Sequence, residues 1–453
     1  MLVLLPRLLL ILALLSVAVH CAVAETQLRV AGDLYTQVNS EGSQVPPVVE
    51  NDLALTQLSN LLAEENVGEA LQLATRVVSL DPDNAIARRM LGYQLVPGPD
   101  GTEHWCGGYA ALMYERGNLW HEEFGWIKAG DRDRWEAGER PWGKKWITPT
   151  EDGEHHATIA RGWTVRTDHF HVTTNHSREA AVDLATRLET LHQIWRQQFG
   201  EFDVSARELQ ARLDGKQPTG YRRKPFKVIY HRTRDQYNAA LLRRQPQIAK
   251  TLGIYFDRER ETHFFAGEDQ DPGTIYHEAV HQFFFESRKA NKNFARLANA
   301  WATEGVACYF ESLARGERNG DSSMYTLGGA EAGRLPAARH RRLVDNYYVP
   351  LEELSSLGML ELQRRKDLPR LYSQSAGLAT FFMEYEGGKY RPAFRELLAA
   401  IYAGRDEPTT LEAATGVSFE TLDEQYREFL ALTKSLQQKT NHEEHKDHKV
   451  GID

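Results

Sequence analysis

Residues 274–286 read TIYHEAVHQFFFE, and residues 301–311 read WATEGVACYFE. In the first stretch Ile275, Val280 and the run Phe283 to Phe285 make a helix that is buried rather than solvated. On such a helix His277 and His281, four residues apart, lie about 40° apart on one face and one turn displaced, so two imidazoles can reach the same ion. Glu278 stands beside the first of them, where a carboxylate can take a proton from a water held by that ion. Two histidines and a glutamate on a buried helix are unfavourable without an ion or hydrogen-bond partners.

A hydrolytic zinc centre takes three protein donors and leaves a fourth position open. The two motifs, HEAVHQ from His277 and WATEGVACYFE from Trp301, resemble the gluzincin class of zinc peptidases, and most closely its bacterial peptidase-MA-like families. There H-E-x-x-H-Q is followed by W-x-x-E-G-x-A-x-Y-x-E. The resemblance implies that Glu304 is the third ligand, beside His277 and His281, of one Zn²⁺ per chain, with Glu278 as general base. It implies an α+β, thermolysin-like domain over residues 163–434, a twisted sheet followed by helices, and a peptide or protein substrate.

Departures from that class matter too. Thermolysin-like enzymes place an Asp four residues after the ligand Glu, and here that position is Cys308, which reads as a small buried core residue. Glu311, about one turn further on, is the candidate to orient a ligand histidine instead. The G-x-M-E-N signature of the aminopeptidase N group is absent upstream of His277. Phe284 and Ser287 exclude the longer metzincin motif. Gluzincins of the aminopeptidase type keep a catalytic Tyr at the start of a comparable helix, so the resemblance proposes Tyr372 as oxyanion donor. A tyrosine packed at a helix opening fits the same position, and His340, Tyr347 and Tyr348 are weaker candidates for the role.

Outward from the motifs, Trp163 to Thr174 alternates as a strand and Arg178 to Phe199 reads as an amphipathic helix capped by Ser177. Phe226 to Tyr230 reads as a second strand. Gly253 to Phe256 and His263 to Phe265 flank a charged turn as a hairpin, with His263 to Phe265 the candidate edge strand, and everything after Thr274 reads as helix and connection. His169 and His171 share a strand face in this reading, with no third ligand beside them.

Residues 51–95 have the apolar spacing of a helical hairpin, with a turn at Asp81-Pro82-Asp83-Asn84, and resemble a tetratricopeptide unit. Little more than one repeat is present, so the hairpin is either docked on its neighbour or a binding site for a protein partner. Residues 96–162 hold tryptophans among glycines and charges, and read as a β-rich connector with the tryptophans as its core, or as stacking surfaces for sugars.

At the N-terminus, Arg7, an apolar stretch from Leu8 to Val19, and Ala22-Val23-Ala24 make residues 1–24 a signal peptide, hence a secreted or periplasmic protein. A polar leader, residues 25–50, follows. Residues 435–453 form a charged tail containing His442, His445 and His448. The formal charge of −9 provides no basic field for nucleic acid, and no membrane span remains after signal cleavage. Cys106 and Cys308 alone follow the leader, which excludes a disulfide scaffold. Two other functions suit the same residues: a non-catalytic extracellular binding protein with a structural zinc, and a zinc hydrolase acting on a non-peptide or cell-wall substrate.

Overall fold

Apolar residues at helical spacing build three helices, Asn51–Ala63, Val67–Leu80 and Ala85–Leu91, at the start of what the computed structural model describes, residues 51–216, 224–287, 290–318 and 321–432. The expected signal peptide, polar leader and charged tail lie outside the described residues. Asn84 fixes the turn before the third helix, its Oδ1 accepting from the Ala87 amide at 3.0 Å. Gly92, at φ 98°, ends that helix in left-handed backbone. Leu58, Leu62, Ala70, Leu71 and Val78 form a core that continues into Val204 and Leu209, so the hairpin is docked on the segment after the long helix Arg178–Phe199.

The described chain divides into two compact units, one reaching Pro225 and including Arg315–Tyr325, the other Phe226–Ala314 with the residues from Thr326 onward. The division falls inside the span that the sequence treats as one catalytic domain.

In the first unit, the tryptophan-rich region is three short antiparallel ladders, Gln94–Pro97 with Glu103–Cys106, Asn118–His121 with Gly125–Lys128, and Arg140–Trp142 with Lys145–Ile147. The helices Gly108–Glu115 and Arg132–Glu136 separate them and Pro149–His155 follows, so helix and hairpin alternate here. The expected tryptophan core is only partly present. Trp135 and Trp163 are buried, while Trp142 is 43% exposed and stacks on His155.

Trp163 to Thr174 is not one strand. It is a hairpin of Trp163–Arg166 and Phe170–Thr174, closed where the Thr167 amide donates to the Phe170 carbonyl at 3.0 Å. His169 therefore sits in the turn and not on a shared strand face with His171, and it lies against Glu189 and His192 of the long helix. Alternation of apolar residues persists through a tight turn, which is why the pattern reads as continuous.

The second unit opens with strands and continues with helices. Glu261–Phe265 runs parallel to Phe226–His231 and antiparallel to Ile254–Phe256. It is thus an interior strand, and Ile254–Phe256, not His263 to Phe265, has the open edge. The helix Pro272–Ser287 packs against these strands through Gln282, whose Oε1 accepts from Thr262 at 2.8 Å and whose Nε2 donates to the Lys227 carbonyl at 3.3 Å. Helices Ala300–Phe310, Leu368–Glu384 and Arg391–Tyr402 bury Trp301, Phe310, Phe381, Phe382 and Phe394 together. A two-stranded ladder, Ala314–Arg318 with Asp321–Thr326, nearly all of it counted with the first unit, interrupts the stretch expected to be helix and connection. The Asn319-Gly320 dipeptide is the hairpin signal which that reading passes over.

Candidate metal centre

Two buried helices of the second unit bring the motif residues together. Asp271 caps the first, its Oδ2 accepting from the Thr274 amide at 3.0 Å. Ile275, Val280, Phe283 and Phe284 point inward and set the rotation that carries His277 and His281 on one face. Every residue of the second helix, Ala300–Phe310, is buried. Gly305 permits its close crossing with the helix Leu368–Glu384, since a Cβ there would lie 2.6 Å from the Ser375 carbonyl oxygen. That crossing holds the neighbouring Glu304.

His277 Nε2 and His281 Nε2 are 3.0 Å apart, and Glu304 Oε2 lies 3.5 Å from the first and 3.6 Å from the second. Donors placed tetrahedrally at zinc–ligand distances are separated by about 3.3 Å, so these three atoms fit around one ion. Among the described residues no fourth His, Cys, Asp or Glu joins this group.

Behind the donors, Glu311 Oε1 is 2.8 Å from His277 Nδ1. A ring that donates Nδ1–H to a carboxylate presents the Nε2 lone pair on its far side, towards Glu304 and His281. Arg334 holds Glu311 with two hydrogen bonds, from Nε at 2.5 Å and from Nη2 at 2.8 Å. Cys308 is buried as expected, but its Sγ also approaches His277 Nδ1 at 3.8 Å.

The electrostatics follow from burial opposed by partners. Burial favours the neutral form of His277, yet hydrogen bonds with Cys308, Glu304 and Glu311 outweigh it and hold the pKa well above the ordinary imidazole value. Burial would likewise raise Glu304 and Glu311, but the histidines, with Arg334 for Glu311, hold both carboxyls below the usual range. The pocket is therefore set to stabilise positive charge between anionic carboxylates.

Glu278 is on the same helix, with its Oε2 accepting the Tyr255 amide at 2.9 Å. Tyr255 belongs to the open-edge strand. Tyr372 is in the second turn of the helix Leu368–Glu384, its ring centroid 6.5 Å from that of His277 and its hydroxyl accepting from Gln363 Nε2 at 3.3 Å. Burial, then the charge of Glu304, pushes its pKa above the usual phenol value. The weaker candidates are engaged elsewhere: His340 is exposed beside Asp345, Tyr347 donates to Asp367, and Tyr348 donates to Asp423.

The structure thus groups His277, His281, Glu304 and Glu311; Glu278 stands on the His277 helix, and the Tyr372 ring lies 6.5 Å from that of His277. Sequence reasoning missed Arg334 and the Tyr255 amide. Arg334 lies 23 positions beyond Glu311 with no motif around it, and a backbone donor has no residue signature. No family model matches this chain, and no curated protein matches it. Among the described residues no helix is long and apolar enough to cross a membrane.

Proposed function

We propose that this protein is a secreted or periplasmic zinc-dependent metallopeptidase of the gluzincin type, with a thermolysin-like α+β catalytic region. The observation that carries the reading is the set of three donor atoms, His277 Nε2, His281 Nε2 and Glu304 Oε2, at 3.0–3.6 Å from one another, which no fourth His, Cys, Asp or Glu of the described residues joins. Two imidazoles and one carboxylate are the donor set of catalytic zinc in peptidases. When bound there, zinc supplies Lewis acidity that polarises a carbonyl and brings the pKa of a water towards about 7.

The chain's own residues do the rest. Glu278 accepts the proton of the attacking water and returns it to the leaving amine. A hydrogen bond from the Tyr255 amide holds its carboxylate in place. Tyr372, kept protonated by burial, is the donor for the oxyanion. Ile254–Phe256 aligns an extended peptide: the N–H and C=O of one residue in an antiparallel strand point the same way, so the Tyr255 carbonyl faces the open edge with its amide. A purely structural zinc fits less well, because such sites are closed by four protein ligands.

The test is cleavage of a peptide library, followed by mass spectrometry, for the zinc-loaded parent and Glu278→Gln. The parent cuts peptides and the variant, with zinc retained, cuts them at least about 100-fold more slowly. Equal cleavage by the two, or none by the zinc-loaded parent, contradicts the proposal.

A further inference from the structure

The first unit contains a second cluster with metal-binding chemistry, and nothing in the peptidase reading uses it. Glu189 and His192 stand three residues apart on the helix Arg178–Phe199, a spacing that places both on one face. His169 meets them from the hairpin turn. Glu189 Oε1 accepts the His169 amide at 2.8 Å and Oε2 lies 2.7 Å from His169 Nδ1. The His192 ring is 4.3 Å from the His169 ring, centroid to centroid, at 41°. One nitrogen from each ring and one oxygen of Glu189 all lie within 4.8 Å of one another.

His169 and Glu189 make an ion pair, and His192 stands beside it as a third donor. A second imidazole, only 1% exposed, is packed against the first in the same polar pocket. Asp168, next in sequence to His169, adds a carboxylate that accepts the Tyr109 and Ala110 amides at 2.8 and 3.2 Å. The nearby Arg196 is matched by Asp203 at 2.8 Å.

We infer that His169, Glu189 and His192 form a second site for a divalent transition-metal ion such as zinc, which ties the Thr167–His169 turn to the long helix. Imidazole and carboxylate together suit zinc, cobalt or nickel. The side chain of His169 is 35% exposed, which gives the ion a route in and room for water as a further ligand. The site lacks a general base. Thr190 and Leu191 separate the two helix donors, and the Thr190 hydroxyl is turned back to the Thr186 carbonyl, so no carboxylate occupies the place that Glu278 has in the other centre.

The site is tested in a His277→Ala/His281→Ala background, which removes the other centre. After zinc loading and desalting, that protein keeps about one zinc per chain and melts higher than its metal-free form, and adding His192→Gln abolishes both effects. His169→Gln, at a partly exposed position, gives the same loss if the buried substitution unfolds the chain. In the otherwise unaltered protein the same substitutions lower zinc from about two to about one per chain. A background protein without zinc, or zinc retained by both His192→Gln and His169→Gln, overturns the inference.

Discussion

Glu311 Oε1 lies 2.8 Å from His277 Nδ1, on the side of the ring opposite the nitrogen that faces Glu304. The carboxylate thereby selects the tautomer that offers Nε2 to an ion, and Arg334 holds the carboxylate in turn. Glu311→Gln weakens the selection and Arg334→Gln frees the carboxylate to move. Each lowers zinc affinity by about 10- to 100-fold, read by competition with a chelating indicator. Unchanged affinity in both variants shows that the ring is oriented by packing alone.

Tyr372 lies with its ring centroid 6.5 Å from that of His277, and its hydroxyl accepts from Gln363. If its hydroxyl serves the oxyanion, Tyr372→Phe lowers kcat by roughly 10²–10³-fold while KM and zinc content stay near those of the parent. An unchanged kcat assigns the ring to packing.

Gly305 lies where the Glu304 helix meets the helix Leu368–Glu384. A methyl group there would stand 2.6 Å from the Ser375 carbonyl oxygen and 3.1 Å from its carbon, and a backbone yields less readily than a side chain. Gly305→Ala destabilises the protein by about 1–3 kcal/mol in urea unfolding and weakens zinc binding by displacing Glu304. Parent-like stability removes the argument for a close crossing.

His231 and His263, on neighbouring strands, are buried with Nε2 and Nδ1 3.2 Å apart. Burial lowers their pKa values to about 4 and about 3, and His263 is lowered further by His231 and Arg244. Tyr237 and Phe256 cover the rings, and Glu261, at 3.8 Å from His263, is too distant to offset the burial. A histidine with a depressed native pKa binds protons more readily when unfolded, so its effect is absent above pH about 6.5 and stability falls as pH drops towards the native values. Each ring contributes a slope of roughly 1.4 kcal/mol per pH unit in that window. With chelator present, His231→Leu/His263→Leu loses stability less steeply between pH 6.5 and 4.5. A slope equal to the parent's contradicts the assignment.

The legible parts of the molecule were those set by local period or by motif. Spacing predicts the helix around His277, the helix around Glu304, the Ser177 cap and the hairpin helices, because each depends on residues within a turn or two. The centre was legible because two of its donors are four residues apart and the third lies in a motif of its own. Arg334, the His231–His263 pair and the meeting of His169 with Glu189 and His192 depend on tertiary packing between segments far apart in sequence. The edge strand was misplaced for the same reason. Alternation shows that Glu261–Phe265 is a strand, but only its parallel partner, Phe226–His231, makes it interior.

Elemental analysis of the zinc-loaded protein beside His277→Ala/His281→Ala tests the central claim most directly. The account predicts that the parent holds about one zinc per chain more than the variant, whatever the first unit binds. Equal zinc in the two proteins would mean that His277, His281 and Glu304 are a hydrogen-bonded cluster in a buried helix pair, and the peptidase reading would fall with it.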